Sequence, residues 1–108
     1  MKGRKAKALR YAPQGELSIY TAMEQKEQLL RVLEKADVAE LDLTQVSLLD
    51  SSGVQLLLLA KREASRLEKP FSIVGLSSAV SEVLELCNLA GHFGEQVFIP
   101  SSAAGEPA

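Results

Sequence analysis

The stretch Leu48-Leu49-Asp50-Ser51-Ser52-Gly53-Val54-Gln55 is where residue types and spacing offer chemistry. A strand-like apolar run ends there and a helical pattern begins. Ser52-Gly53-Val54-Gln55 fits a capping box, with Ser52 as N-cap and Gln55 reaching back from N3. That leaves Ser51 as a hydroxyl just outside the helix, where backbone N–H groups and the positive end of the macrodipole favour an anion. A phosphate on Ser51 would be tolerated there and would change the local charge by about −1.5 to −2. Asp, Ser and Gly are also the commonest residues before a helix, so on local pattern alone capping is the simpler reading.

Other chemistry is poorly supplied. Ser51, His92 and an acid can be imagined as a triad, but no G-x-S-x-G elbow is present, and His92 in a Gly91-His92-Phe93 loop reads as structural. The single cysteine and single histidine exclude an internal disulfide and argue against a Cys- or His-built metal centre. Cys87 falls in an apolar helical stripe and is expected to be an inert core residue. Phosphate-binding glycine loops and metal-ligand spacings are absent, and Asp42 and Asp50 form no evident carboxylate pair. No enzyme and no cofactor is expected.

With 108 residues, 46% apolar and 24% charged, the chain has the size and composition of one ordinary soluble domain. No apolar run approaches the ~18–20 residues of a membrane span, and no signal-peptide h-region follows the basic Met1–Lys5 segment. A reduced, cytoplasmic setting without membrane insertion is therefore expected. Five basic groups (Lys2, Arg4, Lys5, Lys7, Arg10) fall in residues 1–10, leaving 7 of the 12 bases against all 14 acids in the rest. So acidic a body argues against a nucleic-acid footprint.

The elements that must position Ser51 can be read in order. Strands are expected at 7–12 and 16–20, with Leu9 and Tyr11, then Leu17 and Ile19, alternating with polar or small positions. Pro13-Gln14-Gly15 between them suggests a hairpin. Thr21-Ala22-Met23-Glu24 has the form of a capping box, opening a helix to about Ala36 with Ala22, Leu29, Leu30, Leu33 and Ala36 on its apolar stripe. Residues 38–43 return to period two. A second helix is expected from about Gly53 to Glu68, a strand over 71–74, and a third helix capped by Ser77 or Ser78 with Val80, Val83, Leu84 and Cys87 on one face. Val97-Phe98-Ile99 reads as a last strand. The expected organisation is a basic arm (1–6), one α/β domain (7–99) and a disordered tail (100–108).

The second helix carries one more hint. Leu56, Leu57, Ala60, Ala64 and Leu67 cluster on the face expected to enter the core. Val54 and Leu58 fall roughly 110–150° away, beside Arg62. They are expected as anchors for a partner or for a weak homodimer, with packing under a loop as the alternative.

The segment Leu41-Asp42-Leu43-Thr44-Gln45-Val46-Ser47-Leu48-Leu49-Asp50-Ser51-Ser52-Gly53 resembles the signature of the STAS domain, the module shared by bacterial anti-sigma factor antagonists and sulfate transporter tails. The resemblance extends over 7–99, through the Gly15-Glu16-Leu17 turn, the long second helix, Phe71 to Ala79 and Leu84 to Phe93. It implies a mixed sheet of four to five strands with helices mainly on one side. It also implies that Ser51 is phosphorylated by an anti-sigma factor that is itself a serine kinase, that a phosphatase reverses this, and that Asp50 takes part in partner recognition. Val54-Gln55 stand where antagonists often have Leu-Gly, and Leu56 to Ala64 look more like chemotaxis-associated members. A further branch implied by the resemblance is a constitutive STAS subunit of an ABC-type lipid transporter.

Overall fold

Period-two burial shapes the centre of the molecule. In β3 (Val38–Leu43), Ala39, Leu41 and Leu43 are buried while Val38, Glu40 and Asp42 are half-exposed. The same alternation in β5 (Phe71–Leu76) buries Phe71, Ile73 and Gly75. A computed structural model describes residues 6–88. Within them β1 (Ala8–Tyr11), β3 and β5 form a parallel sheet in the order β1-β3-β5. A second, two-stranded parallel ladder joins β2 (Gly15–Leu17) to β4 (Val46–Leu49). Three helices complete the described residues: α1 (Ala22–Lys35), α2 (Ser51–Arg66) and α3 (Ser78–Leu86). This is the mixed α/β architecture expected, with five strands.

The helices close over a shared core. Leu29 and Leu33 of α1, Leu56, Leu57, Ala60 and Ala64 of α2, and Val80 and Leu84 of α3 are buried with the inward residues of β3 and β5. Packing of α1 on α2 brings the two helices side by side, and α3 lies against β4 and β5. At roughly 1.5–3 kcal/mol for each fully buried large aliphatic chain, this core is what holds the helices to the strands.

Several expectations need correction. No hairpin joins β1 to β2. The Gly15 N–H donates to the Gln45 carbonyl at 3.1 Å, and with φ +83 Gly15 turns the chain toward β4 instead of back along β1. Ile19 is not in a strand: β2 ends at Leu17, because the side chains of Ser18 and Thr21 take the backbone groups a strand would offer to a neighbour. Thr21 forms no capping box, since its hydroxyl donates back to the Glu16 carbonyl at 2.9 Å. The strand β4 escaped the period-two pattern because of a bulge. Gly15 pairs with Val46 but Glu16 pairs with Leu48, so Ser47 is the extra residue.

Cys87 is exposed rather than buried. The helix ends at Leu86, so Cys87 is the C-cap and has left the buried face that Val80 and Leu84 define. Ser77 caps α3 as expected, accepting from the Val80 N–H at 3.1 Å. His92, the strand expected at 97–99 and the tail at 100–108 lie outside the described residues, as does all of the basic arm except Ala6.

Candidate functional site

The start of α2 is organised by Asp50. One carboxylate oxygen accepts the Gly53 N–H at 3.0 Å, which makes Asp50 the N-cap. The other accepts the Ile19 N–H at 3.0 Å, from the turn between β2 and α1. In addition, the Asp50 N–H donates to the Leu17 carbonyl at 3.3 Å. One residue therefore ties the helix start to the β2–α1 turn. The Ile19 amide is the largest influence holding the Asp50 carboxyl below the usual carboxylate range, with the Gly53 and Ser52 amides adding to it.

Ser52 is therefore not the N-cap. It is the second residue of the helix, and Ser51 is the first rather than a residue outside it. With Asp50 already capping the helix at Gly53, Ser52 falls inside the first turn and the Ser52 box does not form. Ser51 is exposed at a helix start, where a negative charge is favoured. Gly53 is buried and packed so closely that a Cβ would stand 2.2 Å from the Leu17 carbonyl oxygen and 2.5 Å from a Leu49 methyl. Only glycine lets the helix start lie this close to β2.

The same crossing explains Val54. Of the two readings for it, partner anchor or packed residue, the packed one fits: Val54 is buried in the first turn of α2, which passes over β2 and β4. Leu58 is half-buried and Arg62 is exposed. Of the three expected anchors, Leu58 and Arg62 line one open groove with Ser65, and the buried Val54 lies outside it.

A different apolar patch lies beside Ser51. Ile19 is 67%, Tyr20 89% and Met23 78% exposed. Their turn is firmly built. The Ser18 hydroxyl donates to Glu16 at 2.9 Å and accepts the Tyr20 N–H at 3.2 Å, Ser18 N–H donates to the Thr21 hydroxyl at 3.1 Å, and Thr21 N–H donates to the Ser18 carbonyl at 3.0 Å. An open groove of about 450 Å³ runs from Ile19 and Met23 to Ser52, Leu59 and Arg62 between α1 and α2. The sequence held a signal for this patch. Tyr20 and Met23 fit neither the alternation of β2 nor the apolar stripe of α1.

Among the described residues no three His, Cys, Asp or Glu side chains gather to hold a metal, and no helix is long and apolar enough to cross a membrane. What the arrangement offers chemically is an exposed hydroxyl at a positive helix end, next to a constrained carboxylate and a preorganised apolar turn.

The chain superposes on solved proteins of known type. It resembles an anti-sigma factor antagonist from Mycobacterium paratuberculosis (TM-score 0.74, 20% identity, covering 94% of this chain and 85% of that one). It also resembles the anti-sigma factor antagonist SpoIIAA in its unphosphorylated form (0.68, 17%, 96% and 94%). A third likeness is to the STAS domain of a SulP transporter from Vibrio cholerae (0.64, 22%, 90% and 77%). At these identities the likeness establishes a shared fold. The family model described as "Mlab, STAS domain" matches residues 4–99. That match takes in every strand and helix described above, and the chain belongs to the STAS domain family.

Proposed function

We propose that this domain is a protein-binding module whose contact surface is the β2–α1 turn and the start of α2, and that phosphate on Ser51 switches it off. The observation that carries this reading is the position of Ser51. It is exposed at the first residue of α2, next to an aspartate that is hydrogen-bonded to the same turn that displays Ile19 and Tyr20. A partner seated on that turn passes over the Ser51 hydroxyl. A phosphate there adds charge beside the Asp50 carboxylate, with repulsion and a desolvation cost in the contact. Leaving one charge unpaired in an interface costs roughly 2–5 kcal/mol, one to three decades or more in affinity. The partner this reading expects is an anti-sigma factor with serine kinase activity, with a phosphatase to restore binding. The test is phosphosite mapping after incubation with ATP and host lysate. Phosphate on Ser51 that vanishes in Ser51→Ala supports the switch, and none on Ser51 in a kinase-active lysate removes it.

A second reading is a constitutive subunit, of an ABC-type lipid transporter or a chemotaxis-type complex. It is favoured by the "Mlab" description of the matching family and by Asp50, whose two oxygens are both engaged inside the fold. On this reading the complex purified from the host survives Ser51→Asp.

A further inference from the structure

The groove between α1 and α2 differs in charge from the rest of the domain. Beyond residue 10 the acids outnumber the bases, 14 to 7, yet both charged side chains lining the groove, Lys26 and Arg62, are cations. Neither is held in a salt bridge among the described residues, and Glu63, the acid beside Arg62, is bound to Arg66. Lining the same groove are Ile19 and Met23, both about two-thirds exposed or more, and the half-buried Leu59. The turn bearing Ile19 is fixed by its own hydrogen bonds, so little ordering entropy is lost when something docks there. Two helices side by side with an apolar seam accept a third, with anchors at i, i+3, i+4 and i+7.

From this we infer that the groove takes an acidic amphipathic helix of a partner protein, its apolar face on Ile19, Met23 and Leu59 and its carboxylates on Lys26 and Arg62. The inference rests on the binding-module reading and adds the chemistry of the partner. It does not need the Ser51 switch. An apolar seam alone would accept a second copy of this chain equally well. The flanking cations favour an acidic visitor over a body that is itself net negative.

The test uses the full chain and three synthetic 15-residue helices with one leucine face and polar faces of glutamate, glutamine or lysine. NMR titration reads the signals of Ile19, Met23 and Leu59. The glutamate peptide is expected to shift all three and to bind at least tenfold more tightly than the lysine peptide, with the preference reversed in the Lys26→Glu/Arg62→Glu variant. Both replaced residues are exposed, so the fold is retained, and an unchanged amide spectrum elsewhere checks it. The inference is overturned if the glutamate peptide leaves those signals in place, if the glutamate and lysine peptides bind alike, or if the signals shift with protein concentration alone, which would make the occupant a second copy. The Ser51→Asp variant separates the two proposals. Equal binding of the glutamate peptide to it and to wild type supports a groove that works without Ser51, and leaves the switch to phosphosite mapping. Phosphate mapped on Ser51 in a protein that ignores the peptide keeps the switch and sinks the groove.

Discussion

Gly53 and Asp50 are the residues on which the helix start depends, for different reasons. Any side chain at Gly53 meets the Leu17 backbone carbonyl, which cannot swing aside as a side chain can. Gly53→Ala is expected to cost roughly 2–4 kcal/mol, read as a lower urea midpoint, at the upper end for overpacking. The Asp50 carboxyl is held below its ordinary pKa, first by the Ile19 amide. Its contribution to stability is therefore present above the unfolded carboxylate value, about pH 4, and is lost as pH falls through the lower folded value. Asp50→Asn is expected to lower the urea midpoint at pH 7 and to narrow the difference between pH 7 and pH 3. The Asp-Ser-Ser-Gly motif was legible in the sequence as the start of α2, but its internal roles were not. Four residues in a row can each cap a helix, and only the distances choose Asp50 over Ser52. Val54 was left open between anchor and packed residue for a related reason: a helical wheel assigns faces but does not know that the first turn crosses another strand.

At the scale of elements, the end of α1 is held from outside. The Lys69 ammonium, just past α2, donates to the carbonyls of Leu33 at 2.6 Å and Glu34 at 2.8 Å. These are carbonyls of the last turn, which have no partner within the helix, and a cation there also complements the dipole. Lys69→Met keeps the aliphatic stem and removes the donors. It is expected to cost about 1–2 kcal/mol and to speed amide exchange in the last turn of α1 while the α3 amides keep their protection. The helices were well legible, because their apolar stripes are long and regular. The strand β4 was not, because its bulge at Ser47 breaks the alternation that reveals a strand. Its partner β2 lost Ile19 to a turn that side-chain hydroxyls build, and such a turn looks like strand continuation in a string of letters.

For the whole molecule, folding and recognition are expected to be separable at this surface. Ser51 is exposed at a helix start, so Ser51→Asp should change the free energy of unfolding by no more than about 0.5 kcal/mol, in the stabilising direction if at all. A loss of partner binding in that variant, with thermal unfolding unchanged, would be the signature of a switch that acts on the interface. The fold class was legible because strands and helices alternate, and alternation with a single core leaves few architectures. The division of five strands into a three-stranded and a two-stranded parallel set was not. Which strands lie side by side depends on long-range pairing, and the turn residues Pro13-Gln14-Gly15 pointed to the nearest neighbour.

That pairing also bears on how the chain folds and how it emerges from a ribosome. Ala8 pairs with Val38, Gly15 with Val46 and Ala39 with Phe71, so every ladder among the described residues joins positions about thirty apart. None of these ladders is a local hairpin that could form early and wait. Each must close a loop containing a helix before it gains a hydrogen bond, which places folding among the slower mixed α/β domains. During synthesis β1 has nothing to pair with until β3 is out, and β3 lacks its second neighbour until Phe71 follows. The first described strands therefore spend their early life as unpaired edges, and α1, which packs on β1, is the first described element able to shelter one of them.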